Sequence, residues 1–322
     1  MFISYAMQGI ILFSRKIRRL LTSLLIPPLF VTVSACQSAP SNKFANPADS
    51  LVVNGRALPY KLMGKGPPVV LIHGALSDLR TWTRQQQALS SLGYSVVTFT
   101  QRYYGLQSWE TNWPPYRIRT HADDLKSFLR LLKLGKVHLV AWSSGGHIAI
   151  TVAKEAPELV NSVFIYEPVV ASYIEDLKTQ HAIGNDAEKM LAPVFESLKT
   201  GDFRRASQRF LDSVSSTPGY WSNLNATGQE IVLDNARVLP IMFDEGETDM
   251  PVTCLEMSQI LPPVTIARGA LSRPFFRLIA DAASVCLAQN RHLVIKGAHH
   301  MWPSDEFDDF TLAVDNAIKD AK

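Results

Sequence analysis

From residue 51 onward the chain alternates short apolar, strand-like runs with longer helical stretches. That alternation predicts an α/β architecture, a mostly parallel sheet with helices on both faces, because a strand with no polar side has to be covered twice. Pro68-Val69-Val70-Leu71-Ile72 is a continuous apolar run, and residues 95–100, 137–142, 160–166, 263–268 and 292–296 read as further strands. Residues 51–55 and 58–64 read as a hairpin opening the sheet. Helices are predicted over 79–92, closed by Gly93, and over 122–134, where Leu125, Phe128, Leu129 and Leu132 share a face and Gly135 follows. Further helices are predicted from about 144 to 156, 274 to 286 and 305 to 319. The rhythm fails between about 168 and 251, where no strand is evident and helical stretches at 187–198 and 203–214 carry scattered aromatics such as Phe195, Phe210 and Trp221. This segment reads as a helical cap inserted into one domain spanning 51–322; no internal repeat is found.

The basic excess lies outside that domain. The formal charge is +3, but Arg15, Lys16, Arg18 and Arg19 stand in the first 35 residues with no acid, which leaves about −1 (+3 − 4) for the rest. A near-neutral domain offers no electrostatic ground for nucleic-acid binding. The basic cluster precedes an apolar run, residues 20–33, broken by Pro27 and Pro28, and so reads as a signal peptide over 1–35 rather than a membrane span. Its end, Val33-Ser34-Ala35-Cys36, resembles the lipobox of bacterial lipoproteins. The resemblance implies lipidation of Cys36, a polar tether over 36–50, and anchoring to the cell envelope, at the outer membrane facing the periplasm because no Asp follows the cysteine. The alternative is an ordinary cysteine beside a simple export site. Export makes a disulfide between Cys254 and Cys286 chemically possible, but separation in sequence does not decide whether they meet.

Val140-Ala141-Trp142-Ser143-Ser144-Gly145-Gly146 lies between a predicted strand and a predicted helix. A sharp strand-to-helix corner exposes the hydroxyl at its apex and requires small neighbours two residues before and after, here Ala141 and Gly145. Upstream, a buried strand ends in His73-Gly74-Ala75, and near the C-terminus Gly297-Ala298-His299-His300 follows the last predicted strand. Together these motifs resemble the α/β-hydrolase family over nearly the whole of 51–319, with Ala141 in place of the usual Gly at the corner. The resemblance implies an α/β-hydrolase fold, Ser143 as nucleophile, His300 as its base in preference to His299, and the amides of Ala75 and Ser144 as an oxyanion hole. It makes His73 a loop-orienting residue. A dehalogenase is disfavoured because the nucleophile of that group is an Asp.

The third member of the triad departs from the commoner pattern. The strand after the insertion leads into Arg268-Gly269-Ala270-Leu271-Ser272-Arg273-Pro274, which holds no carboxylate. Some relatives place the acid after the strand that follows the nucleophile, and here that strand ends in Glu167-Pro168, which makes Glu167 the expected acid. Asp281, Asp244 and Asp249 are poorer candidates. The run Gln101-Arg102-Tyr103-Tyr104-Gly105 also departs from the family's Asp-x-x-Gly-x-Gly loop. The acidic stretch 244–249 lacks the alternating ligand spacing of a calcium loop and reads as solvated. No metal or organic cofactor is implied. The expected activity is hydrolysis of an ester-type bond of a small to medium, fairly apolar small-molecule substrate through an acyl-enzyme. An acyltransferase or a non-catalytic binding protein on the same scaffold are the alternatives.

Overall fold

The computed structural model describes residues 48–243, 252–288 and 290–321. The expected signal segment, Cys36, most of the tether, and Asp244 and Asp249 of the acidic stretch lie outside the described residues.

The sheet opens with the hairpin that the sequence predicts. β1 (Asp49–Val53) and β2 (Arg56–Met63) are joined through Asn54 and Gly55, both at positive φ (46° and 75°), as a two-residue hairpin turn requires. β2 pairs antiparallel with β4 (Ser95–Phe99), and every later pairing is parallel. The remaining strands are β3 (Pro68–Ile72), β5 (Val137–Trp142), β6 (Val160–Tyr166), β7 (Val264–Gly269) and β8 (Asn290–Ile295), giving the order β1-β2-β4-β3-β5-β6-β7-β8.

Helices fill the crossovers. α1 (Thr83–Ser91) follows β3, α2 (Ile118–Leu132) follows β4, and α3 (Ser144–Glu155) follows β5. Between β6 and β7 run α4 (Leu177–Lys199), α5 (Phe203–Ser215), α6 (Tyr220–Asn223), α7 (Ala226–Asp234), α8 (Val238–Met242) and α9 (Cys254–Ser258). α10 (Pro274–Cys286) precedes β8, and α11 (Trp302–Asp305) and α12 (Phe307–Asp320) close the chain.

Alternation within each strand divides the interior into two cores. Val70, Ile72, Leu139, Ala141, Val163 and Ile165 pack with Phe128 of α2, Ile148 and Val152 of α3, and Ile279 of α10. Their neighbours Val69, Leu71, Val140, Trp142, Phe164 and Tyr166 pack on the other face with Trp82, Leu89 of α1, and Phe310 and Val314 of α12. Burial of about 1.5–3 kcal/mol per large apolar side chain, on both faces of the same strands, is what makes this sheet a rigid platform. No helix among the described residues is long and apolar enough to cross a membrane.

Several boundaries differ from the sequence expectation, each for a local reason. The helix expected over 79–92 starts as a 3-10 turn, Leu79–Trp82, because the Asp78 carboxylate caps it through the amide of Arg80. α4 begins ten residues before the predicted 187, since its first turns are polar and its start is set by Asp176 accepting from the amide of Thr179. The helix expected over 305–319 is split into α11 and α12. Cys254 and Cys286, which the sequence left undecided, are joined in a disulfide that fastens α9 to the end of α10.

Candidate active site

The corner between β5 and α3 has the shape that the motif demands. Ser143 sits at φ 57° and ψ −124°, a conformation that costs a side-chain-bearing residue on the order of 1–3 kcal/mol. Its amide donates to the Tyr166 carbonyl at 3.0 Å, which ties the corner to β6. Gly145 is needed because a Cβ there would stand 2.8 Å from the Ile72 carbonyl oxygen and 2.9 Å from that of His73. The close approach brings the start of α3 against the end of β3, and Gly74 packs so tightly that a Cβ on it would lie 3.1 Å from that of Ser143. Ala75 borders the same cavity as Ser143, and Ser144 opens α3; the amides of these two residues are the expected donors. Neither donates to another described group, and that of Ser144 is one of the orphan donors of a helix N-terminus.

β8 ends in the turn that carries His300, which is 4% exposed. Its Nδ1 lies 2.7 Å from Oε2 of Glu167, which is fully buried. An ionised carboxylate only accepts, so Nδ1 carries the proton and Nε2 is left as a lone-pair base. Glu167 is itself held by its amide, which donates to the Ala267 carbonyl at 2.9 Å, and by its Oε1, which accepts from the amide of Gly269 at 2.8 Å. Like Ser143 it has a positive φ, 51°. The indole of Trp142 donates to the His300 carbonyl at 3.0 Å, and the Tyr166 hydroxyl donates to that of His299 at 2.7 Å, so β5 and β6 both grip the histidine turn.

Ser143 and His300 border one small cavity of about 30 Å³, with Gly74, Ala75, Trp142, Met301 and, from α5, Phe210, Leu211 and Val214. The Ser143 hydroxyl has no hydrogen-bond partner among the described residues, a looseness that is common where substrate completes the alignment. A larger cleft, about 330 Å³, opens by Lys136, Glu158, Asn161 and Leu261, and none of the expected site residues border it.

The remaining candidates separate cleanly. His299 turns elsewhere: its Nδ1 accepts from the Met301 amide and its Nε2 lies 3.4 Å from Asp305. Asp281, on α10, pairs with Arg268 of β7. His73 is fully buried, accepts from the Gln101 amide at Nε2 and faces the Gly74 carbonyl with Nδ1, so it orients the loop before Ala75. The unusual run 101–105 thereby acquires a role, since the Gln101 side chain donates to the His73 carbonyl and Tyr104 packs edge-on against the His73 ring at 4.8 Å. Asn235, just after α7, extends the tie: it donates to Asp78 and accepts from the amide of Gly105, binding the inserted helices to both loops. Sequence reasoning marked the run that begins at Gln101 without giving it a role and did not single out Asp78 or Asn235, which meet across 157 residues. Among the described residues no group of three or more His, Cys, Asp or Glu is placed to hold a metal.

Two buried histidines give the fold a pH dependence. Burial drives His73 down to about 4 and His121 to about 3; nearby Arg102 and His73 also disfavour charge on His121, whose ring nitrogens have no partner among the rings of Tyr103, Tyr104 and Tyr116. The unfolded chain takes up these protons near pH 6.5 and the folded chain does not, so stability is full above about 6.5 and falls on acidification until about 4 and 3 respectively. Urea unfolding at pH 5 is expected to give a stability lower than at pH 7.5 by about 2 kcal/mol per histidine. His121→Phe should remove about half of that difference; an unaltered pH slope in the variant would show that His121 does not contribute.

A family model described as alpha/beta hydrolase fold matches residues 67–230. The chain is 29% identical over 198 residues to a non-heme chloroperoxidase, CPO-A1, of Kitasatospora aureofaciens, covering 61% of this chain and 67% of that protein. It is 26% identical over 144 residues to the uncharacterized hydrolase YraK of Bacillus subtilis (strain 168), covering 41% of this chain and 53% of the relative. The chain thus spans about half to two thirds of the length of these curated relatives. Among solved structures, the enol-lactonase from Burkholderia xenovorans LB400 superposes with a TM-score of 0.66 at 19% identity, over 84% of this chain and all of that one. A bacterial membrane phospholipase A superposes with a TM-score of 0.68 at 20% identity, over 85% and 86%. At these identities the two structures share the fold.

Proposed function

The chain belongs to the alpha/beta hydrolase fold family, and from that premise we propose that it is a serine hydrolase that cleaves an ester-type bond through an acyl-enzyme. The observation that carries the reading is the buried pairing of Glu167 with His300 beside the same small cavity as the strained Ser143. The Ser143 oxygen attacks the acyl carbon as its proton passes to Nε2 of His300, and the carbonyl oxygen takes up the negative charge. That oxygen is received by the amides of Ala75 and Ser144, each contributing roughly 3 kcal/mol to lowering the barrier. The leaving alcohol departs with the proton from His300. Water then yields a proton to the same nitrogen and displaces the acyl group, restoring Ser143. Glu167 holds Nδ1–H in place and stabilises the transient imidazolium.

The walls of the cavity support the substrate class proposed. Phe210, Leu211, Val214, Trp142 and Met301 present apolar surface, and no Asp, Glu, Lys or Arg borders the cavity, which supports an acyl group that is small to medium and fairly apolar. A panel of p-nitrophenyl esters tests this: acetate and butyrate should give a higher kcat/KM than dodecanoate or a succinate half-ester. A preference for the acidic or the long-chain ester would contradict it.

The same reading places the enzyme in the bacterial envelope, lipid-anchored through Cys36 and facing the periplasm from the outer membrane. Support comes from the basic and apolar run of residues 1–35 and from Val33-Ser34-Ala35-Cys36. Cells fed labelled palmitate should incorporate it into the wild type and not into Cys36→Ala; equal incorporation would remove the anchor from the account.

A further inference from the structure

The geometry points to Phe276 as a positioning residue that sets the attitude of the His300 ring and favours its protonated form, an inference that rests on reading His300 as the base. The two rings lie face to face, centroids 3.6 Å apart and planes within 8°. A single hydrogen bond from Nδ1 to Glu167 fixes one edge of the imidazole but leaves the ring free to swivel about the line of that bond. A flat aromatic surface against its face removes that freedom and keeps Nε2 directed into the cavity. Trp142, the other ring beside it, stands off at 5.8 Å and is inclined by 47°, so it cannot supply the same constraint. The face of a phenyl ring is also electron-rich and attracts a cation laid on it, so the stack stabilises the imidazolium that forms when Ser143 gives up its proton.

The helix that presents Phe276 is held at both ends. At its start Arg273 donates through Nε and Nη2 to the carboxylate of Asp186 on α4, and the same carboxylate accepts from the amide of Phe275. At its end the Cys254–Cys286 disulfide joins it to α9. Phe276 itself is 2% exposed. The charged and titratable groups around His300 are few: Glu167 at Nδ1 after β6, the Tyr166 hydroxyl on the neighbouring His299 carbonyl, and the pair formed by His299 with Asp305. The side chains facing the cavity from α5 are apolar, and Arg273, just before α10, is paired with Asp186. Among them Phe276 is the group whose removal alters the face of the ring without altering a charge.

The test compares wild type with Phe276→Leu and with the volume-conserving Phe276→Met, which remains available if the first does not fold. The His300 ring signal, identified by its loss in His300→Gln, is followed against pH by ¹H–¹³C NMR, and kcat and KM are measured on p-nitrophenyl butyrate. In both variants the titration midpoint is expected to fall by about half a pH unit, and kcat to fall about tenfold with KM within about twofold. A midpoint or a kcat that neither substitution moves would overturn the inference. The titration reads the stack even in an inactive protein. Failure of the functional reading would therefore show as an inert wild type with the midpoint difference intact, and failure of this inference as an active wild type whose variants match it.

Discussion

Ser143→Ala is expected to lower kcat for ester hydrolysis by about 10⁴-fold or more while leaving a folded protein. Every covalent step in the account passes through the Ser143 oxygen, and the described residues around the cavity offer no second hydroxyl or thiol to replace it. What survives is binding and the two amides, which stabilise charge but provide no nucleophile. The fold should not suffer, because the hydroxyl takes part in no hydrogen bond with a described residue and the corner is held by the backbone, Ser143 amide to Tyr166 carbonyl and Gly146 amide to Ser143 carbonyl. Ser143→Gly should be equally inactive yet more stable than Ser143→Ala by about 1 kcal/mol, since φ of 57° with ψ of −124° strains any residue with a Cβ. Chemical denaturation of the two variants reads that difference. An alanine variant retaining more than a few per cent of wild-type kcat would remove Ser143 from the mechanism.

Glu167→Gln is the second large effect, a fall in kcat of about 10³- to 10⁴-fold from a change of one atom. The carboxylate accepts two buried donors, the Gly269 amide at Oε1 and His300 Nδ1 at Oε2. A glutamine has one acceptor oxygen. If that oxygen keeps the Gly269 amide, the new NH2 group faces Nδ1 and forces the imidazole proton onto Nε2, where it blocks uptake of the serine proton. If the oxygen turns to His300 instead, two N–H groups confront each other at Gly269, at a cost of about 1–3 kcal/mol for the unpaired buried donor. Either arrangement also loses the negative charge that steadies the imidazolium. The variant should fold, bind substrate with a similar KM, and regain activity only weakly as pH rises. A Glu167→Gln enzyme with near-normal kcat, beside a dead variant at another carboxylate such as Asp305, would move the acid elsewhere.

Much of the architecture was legible because it depends on local patterns. A strand with no polar residue, β3, and a largely apolar one, β5, declare burial on both faces, and Asn54-Gly55 declares a tight hairpin; these need no knowledge of distant partners. The candidate site was legible for a related reason, since Ser143 and Glu167 directly follow β5 and β6 and His300 lies in the turn after β8, and the parallel order of these strands brings their C-terminal ends to one edge of the sheet. What stayed hidden depends on contacts across the fold. The pairing of Cys254 with Cys286 follows from how α9 docks on α10, and the polar first turns of α4 conceal a helix that only its cap reveals. α10 carries two adjacent phenylalanines, and nothing in their spacing tells that Phe276 lies on an imidazole while Phe275 lies edge-on to Phe276. The departure at 101–105 likewise became intelligible only when Gln101 was seen holding His73.

The central claim is that the Ser143 hydroxyl is activated by His300 in one site, and covalent labelling tests it most directly. The wild-type protein treated with a fluorophosphonate probe at neutral pH should gain a single adduct, located on Ser143 by peptide mass spectrometry, that is absent in Ser143→Ala and formed far more slowly in His300→Gln. A folded wild-type protein that takes up no probe, or an adduct that persists in Ser143→Ala, would contradict the account.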